Sequence, residues 1–460
     1  MFILRPSDII RDPVHHYIEI TGIEQALIDS PELQRLRYIK QLPGAFYVYP
    51  GATHTRFEHS LGTMKLAGEI AEILLRSEWK NAGKKEKEKI EKKIQKIRIA
   101  GLLHDIGHGP FSHVFEFMAF QEFNHEDFGK QISKRLLERI LLDNAQTRKR
   151  MKPIEDYCFD KKDINDICKW AFEEYNGEKD KYPFEIVADR ENKLDADKFD
   201  YLLRDAYYTG TIEYGAADIR RLIINSLLAE VQGGVRQRCF NLRVKLALSN
   251  IWLARYEMFS AVYYHRTARS AELLLAQILK ALDEEINISD IIRRREINEF
   301  LKLTDCILDY ARRLPDSNRA HKLVKKLDKR ELYKPVDERK YVERRSYIIK
   351  SLRERKGEGE KIIAEKAGIP QECVVLDIPC VDIPFYPGAY TLVYFVDENG
   401  NIVRYPPERL LPFRTEGGLE ITIRVYTTEP EYRDNVRRAF SIWLQEEGLE
   451  SSEAFFGRSI

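Results

Sequence analysis

Between Ala100 and His113 the chain places an imidazole and a carboxylate, His104 and Asp105, next to an apolar run. Ile99, Ala100, Leu102, Leu103 and Ile106 have the spacing of a buried helix. Burying His104 and Asp105 there without partners costs several kcal/mol. A divalent metal ion removes that cost, because imidazole and carboxylate are both ligands for hard or borderline cations. A satisfied core histidine beside a helix-capping aspartate is the plainer alternative, and the surroundings of the pair argue against it. Eight of the ten histidines, at positions 15, 16, 54, 59, 104, 108, 113 and 125, fall in the first 125 residues. The segment from His54 to Ser60 leads into a helical pattern in which Arg56 and His59 share a face. Further on, Asp195 to Asp205 is dense in carboxylates, and Asp197, Tyr201 and Asp205 lie on one helical stripe.

A histidine, then a His-Asp pair, then a distant aspartate resembles the ligand set of the HD-domain metallophosphohydrolases. That resemblance makes His59, His104, Asp105 and Asp197 the ligands of a divalent ion: Mg, Mn, Fe, Zn or Ni. Four blocks narrow it: Asp12-Pro13-Val14-His15, Leu33 to Leu42, Arg56 to Gly62, and 100–113. They resemble the deoxynucleoside triphosphate triphosphohydrolases of the HD superfamily, some of which add a SAM domain that is not expected here. Leu410-Leu411-Pro412 and Ile423 to Tyr426 resemble that family's second lobe.

The resemblance implies a reaction and a set of roles. Attack at the α-phosphorus of a dNTP expels the nucleoside 5′-oxygen, a poor leaving group that needs a proton. His113 would supply it, oriented by Glu116, as carboxylate-supported imidazoles do in general acid catalysis. His125 would approach the α-phosphate, and His108 is a further candidate for the proton. Arg56 and Lys198 would bind phosphate oxygens and Arg255 the distal phosphates, a task that suits the planar guanidinium fork. Gln41 and Asp205 would hold the 3′-hydroxyl, with Leu42 under the sugar and Tyr201 and Tyr263 lining it. Phe259 stands where the family has a histidine, and Tyr17 and Tyr264 replace polar residues. Asp29, Gln34 and Arg37 match positions that read the guanine of an activating GTP or dGTP between subunits. A homo-oligomer, tetramer or dimer, is therefore expected. Asp8 and Arg11 occupy positions where a lysine and an asparagine belong.

Composition bounds these expectations. Charged residues make up 32% of the 460, above the usual ~25%, a Lys/Glu excess expected of a thermophilic source. A net charge of +1 offers no general attraction to nucleic acid or to a membrane surface. Six cysteines without a C-x-x-C spacing argue against a zinc ribbon. The first residues lack a signal-peptide core and no stretch reaches ~20 apolar residues, so a cytoplasmic protein without a membrane partner is expected.

The fold class expected is mainly α: a helical HD-domain core over 1–320 and a smaller α+β lobe over 321–460. The alternating charges of Lys84 to Lys96 predict a solvated helix rather than a nucleic-acid contact. Gly44 to Gly51 reads as a strand or loop. Gly107, Gly109 and Pro110 are expected to end the HD helix, and Ser112 to cap the next. Residues 186–280 read as helical, with Arg255, Phe259, Tyr263 and Arg266 near one face. Val374 to Val403 reads as strands punctuated by Pro379, Pro384, Pro387 and Gly388, with a turn at 398–401. A last helix is expected at 430–446. Two other functions remain open: an HD nucleotide monophosphatase or cyclic-nucleotide phosphodiesterase, and a non-enzymatic nucleotide- or single-strand-binding oligomer using the basic stretch 322–356.

Overall fold

The computed structural model describes residues 6–142, 159–211, 216–343, 351–382, 393–405 and 419–449, together with Leu4. Pro384, Pro387, Gly388 and the Leu410–Pro412 run lie outside the described residues. The chain opens with an antiparallel hairpin, β1 (Asp8–Asp12) and β2 (His16–Ile20). Two short helices follow, Gly22–Ile28 and Pro31–Gln34, the second starting on a proline as its fixed φ favours. The stretch 44–51 is not a strand: it holds a 3-10 turn, Ala45–Tyr47, and Gly44 packs against Glu272.

Two long helices, Arg56–Asn81 and Lys84–Leu103, form the centre. Glu58 begins the first by reaching back to the Thr55 amide, a capping box. The two pack through fully buried Met64, Ala67, Ile94, Ile97, Ala100 and Leu103. The lysine-rich first half of the second helix is exposed as expected, but further along Lys96 is buried and pairs with Asp163 and Asp166. That helix stops at Leu103, earlier than Gly107–Pro110. His104 is its cap, and Asp105 lies in the turn beyond it. Ser112 caps nothing, because its hydroxyl donates to the Lys40 carbonyl and accepts from Arg56. The next helix is a π-turn, Phe115–Ala119, followed by His125–Leu137.

The 186–280 region carries the helices Ala196–Thr209, Ala216–Ile224, Lys245–Met258 and Arg266–Ile286. A hairpin interrupts them, β3 (Ser226–Val231) with β4 (Val235–Asn241), which periodicity did not separate from helix. The parallel pairing of β4 with β8 (Val393–Val396), itself paired to β9 (Ile402–Tyr405), extends that sheet. A second sheet runs β5 (Lys334–Glu343), β10 (Leu419–Thr427), β6 (Val374–Asp377), and β7 (Cys380–Asp382) also pairs with β10.

These elements bury two apolar cores. One gathers Leu4 to Tyr333 and includes Val393, Phe395 and Tyr426; the other draws on residues from Val336 to Leu444, between the second sheet and two helices, Lys356–Ala367 and Arg433–Glu446. On the last helix Val436, Ala439, Phe440, Trp443 and Leu444 form the buried stripe, while Ile442 points to solvent. The fold is mainly α with a smaller α+β part, as expected. No described helix is long and apolar enough to cross a membrane.

One bidentate ion pair joins the two cores: Arg269 donates to Asp377 at 2.6 and 3.1 Å. Burial would raise the Asp377 carboxyl, but Arg269 and Arg424 hold it below its ordinary value. A depressed native value contributes stability above the unfolded value of about 4 and loses it as pH falls through the native one. Asp377→Asn should cost about 1–3 kcal/mol at pH 7, since Arg269 keeps Glu272 as a partner. The gap to wild type in denaturant melts should close below about pH 4.

Candidate metal centre

His59 stands in the first turn of the Arg56–Asn81 helix, and Asp197 in the first turn of Ala196–Thr209. These helices cross closely because Gly62 lacks a side chain: a methyl there would overlap the Asp200 carboxylate. From the turn after Leu103, His104 and Asp105 face the same point. His59 Nε2 lies 3.2 Å from Asp197 Oδ1 and 3.5 Å from Asp105 Oδ2. His104 Nε2 is 3.4 Å from Asp105 Oδ1 and 3.6 Å from Asp197 Oδ1. His104 Nδ1 donates to the Gly101 carbonyl at 2.8 Å, which leaves Nε2 as the ring's acceptor; buried, it has no hydrogen-bond partner.

The donor set fits a divalent ion. Bonds of about 2.0–2.2 Å place adjacent ligand atoms roughly 3 Å apart, close to the separations found, and the ligand atoms of His59, His104 and Asp197 all lie within 4.8 Å of one another. Burial would lower His59, but hydrogen bonds to Asp197 and Asp200 and the charge of Asp105 raise it to about 10. His104 is raised against burial by Asp105 and Asp197. Burial would raise Asp105, yet Arg56, His104 and His108 hold it well below the usual carboxylate range. Protons and an ion therefore compete for these imidazole nitrogens.

Behind His59 lies a row of ionic partners that the sequence did not point out. Asp200 Oδ2 takes the other ring nitrogen of His59 at 2.8 Å, while its Oδ1 meets His15 Nε2 at 2.6 Å. Arg204 donates to Asp200 at 2.8 and 3.0 Å and to Asp12 at 2.9 Å. Asp200 follows Asp197 by three residues on one helix face, and His15 and Asp12 lie in the Asp-Pro-Val-His block. Those signals were present; only the fold shows that they converge on one imidazole.

A second cluster borders the first. Glu116 accepts from His125, with Oε2 at 2.7 Å from Nδ1 and Oε1 at 3.3 Å from the backbone amide. His113 Nδ1 is farther from Glu116, at 3.9 Å, and its ring is 58% exposed, stacked on Phe117. His108 stacks on His125 at 4.1 Å and is kept neutral: burial, then Arg56, pushes it well below its ordinary value. Asp105, His108 and His125 form a further group whose ligand atoms lie within 4.8 Å. Phe111 and Ser112, just before His113, both adopt left-handed backbone, at φ 58° and 55°. For non-glycine residues that costs about 1–3 kcal/mol each.

Of the residues expected to bind substrate, Arg56 bonds to Asp105 and, at 2.7 Å, to Ser112. Lys198 bridges Asp197 and Asp195 at 2.8 and 3.0 Å. Asp205 is shared by His54 and Tyr263, each at 2.7 Å, and Tyr201 meets the Tyr263 ring edge-on. The Gln41 amide reaches the His54 carbonyl at 3.1 Å, while its side-chain Oε1 is buried without a hydrogen-bond partner; Leu42 packs on the core beside it. Arg255 lies over the Phe259 ring at 4.7 Å. Away from this pocket, Gln34 accepts from Arg37 at 2.8 Å, and Arg37 covers Phe57. Asp29 is exposed at the end of the helix before them.

A pocket of two histidines and two aspartates, assembled from a helix start, a helix end and a distant helix start, offers the donor set of an HD-type metal centre. The chain carries an HD domain: the HD domain profile matches residues 56–204, and the HD associated region matches 242–445. It is similar to the deoxynucleoside triphosphate triphosphohydrolase SAMHD1 homolog of Dictyostelium discoideum, 33% identical over 73% of this chain and 61% of that one. To SAMHD1 of Bos taurus it is 32% identical over 72% of this chain and 58% of that protein. An uncharacterized protein of Methanocaldococcus jannaschii is 32% identical over 71% and 58%. The chain thus spans about three fifths of the length of these relatives.

Asp197→Ala should abolish metal binding while circular dichroism stays native. Asp200→Asn, which removes only the carboxylate behind His59, should weaken metal affinity by about 10–100-fold. Elemental analysis and chelator competition read both outcomes.

Proposed function

We propose that this chain hydrolyses deoxynucleoside triphosphates at the α-phosphorus, releasing deoxynucleoside and inorganic triphosphate. The observation that carries the reading is the contact between the two clusters: His108, which touches Asp105 of the ion pocket, stacks on His125 of the Glu116 group. His59, His104, Asp105 and Asp197 would hold a divalent ion, which would supply Lewis acidity at the phosphate.

The chain's own groups do the remainder. Arg56 and Lys198 lie at the rim of the ion pocket and offset charge on phosphate oxygens; Arg255 serves the distal phosphates. His113 protonates the departing 5′-oxygen; the neutral His108 turns its Nε2 proton toward the Asp105 carboxylate at 3.3 Å and does not offer it to the leaving group. Glu116, held low against burial by His113 and His125, stays ionised and steadies the two imidazoles. Each oxygen of Asp205 keeps a second lone pair for the 3′-hydroxyl, and Gln41, whose backbone amide bonds the carbonyl of the same His54 that holds Asp205, has an unpartnered side-chain oxygen to offer. Leu42 gives a 2′-hydroxyl no partner, so ribonucleotides are disfavoured by a finite factor of roughly 100.

Incubation with each dNTP and Mg²⁺ or Mn²⁺, with products resolved, tests the reaction. Inorganic triphosphate is expected; monophosphate alone would place the chain with nucleotide monophosphatases. His113→Ala should retain its metal and lose about 10²–10⁴ in kcat, with KM little changed. Wild-type turnover in that variant would move the proton donor to His125.

Regulation is the finer part of the proposal. Asp29 accepts from the guanine N1 and N2 hydrogens while Gln34 and Arg37 donate to O6 and N7, at an interface of a homo-oligomer. dATP hydrolysis should rise when dGTP is added, and Asp29→Ala should lose that response. Light scattering should show a dimer or tetramer; a monomer indifferent to dGTP would contradict it.

A further inference from the structure

Asp305 has no place in the metal centre, yet its carboxylate reaches two segments that flank it. Its Oδ1 accepts the Phe111 amide at 2.7 Å across 194 residues, and its Oδ2 accepts the Lys40 amide at 2.9 Å across 265. The Lys40 carbonyl takes the Ser112 hydroxyl at 2.7 Å. A closed ring results: Asp305, Phe111, Ser112, Lys40 and back to Asp305. The residue after Ser112 is His113, and those after Lys40 are Gln41 and Leu42.

We propose that Asp305 is a positioning residue that fixes His113 against the Gln41–Leu42 wall. Only for the role of His113 does this rest on the hydrolase reading. Phe111 and Ser112 are consecutive non-glycine residues in left-handed backbone, a conformation that persists where surrounding contacts over-determine it. The Asp305 carboxylate supplies the outside anchor for the first, and the Lys40 carbonyl for the second. A carboxylate is required because it offers two acceptors and no donor. An asparagine would turn its NH₂ toward one of the two amides. The clamp is itself held: the Asp305 amide donates to the Tyr38 carbonyl at 3.0 Å, and Arg35 donates twice to the Leu303 carbonyl at 2.8 and 3.2 Å.

The test is Asp305→Asn alone and in a His113→Ala background, on the full chain loaded with Mn²⁺. The single variant should keep its metal and lose roughly 10–100-fold in kcat, the scale of a misplaced catalytic group. In the His113→Ala background the same substitution should cost less than about twofold, because the group it positions is gone. Equal losses in both backgrounds would reduce Asp305 to a structural contact and overturn the proposal. Amide hydrogen exchange gives a reading independent of activity: Phe111 and Lys40 should exchange at least about tenfold faster in Asp305→Asn. Unchanged exchange at both amides refutes the clamp even if the enzyme is active. A wild type inactive on every dNTP refutes the hydrolase reading instead, and leaves the clamp to be judged by exchange. Should Asp305→Asn fail to fold, Asp305→Ser, whose single oxygen cannot accept from both amides, takes its place in the same cycle.

Discussion

Five ionisable side chains, His59, His104, Asp105, Asp197 and Asp200, meet where the Arg56–Asn81 and Ala196–Thr209 helices cross. Except for the partly exposed Asp197, none has more than about a tenth of its surface open to water. Charges in such a place are tolerable only when each is offset. Asp200 is offset by Arg204, Asp12 in turn by Arg204, and Asp105 by Arg56. Gly62 exists at the crossing because the carboxylate needs the room. The two aspartates and two imidazoles that face inward share one remaining demand, which a divalent ion meets.

From that demand the neighbouring architecture follows. Arg56 serves two masters, the Asp105 carboxylate and the Ser112 hydroxyl, so the metal pocket and the corner before His113 are mechanically linked. Asp305 and Lys40 close the corner from the other side, which ties the HD helices to the region after Phe300. The Glu116 carboxylate lies nearer His125 than His113, so two imidazoles share one anion, and the exposed His113 is the one with a face open to an incoming group.

Much of this was legible in the chain. The His-Asp pair, the histidine crowding before residue 125 and the Asp197 stripe marked the centre, because ligand chemistry leaves polar residues where periodicity calls for apolar ones. The last helix and the 398–401 turn were also legible, since both are set by local signals. The end of the HD helix was not: Gly107 to Pro110 are strong breakers, but His104 already leaves the helix to reach the ion pocket. Nor was the left-handed corner at Phe111, which no local propensity favours and which contacts from Lys40 and Asp305 impose. The β3–β4 hairpin escaped because β4 carries Arg236 and Arg238, whose partners Glu78, Asp180 and the Leu194 carbonyl lie outside the hairpin. Asp200, His15 and Arg204 were visible as residues but not as partners, being joined only across long stretches of chain.

Anomalous diffraction from crystals grown with Mn²⁺ tests the central claim most directly. The account expects a peak at about 2.0–2.3 Å from His59 Nε2, His104 Nε2 and carboxylate oxygens of Asp105 and Asp197. The Asp200 carboxylate should remain on His59 Nδ1 and take no part in coordination. A fully occupied manganese bound elsewhere, with those four side chains empty of density between them, would contradict the account.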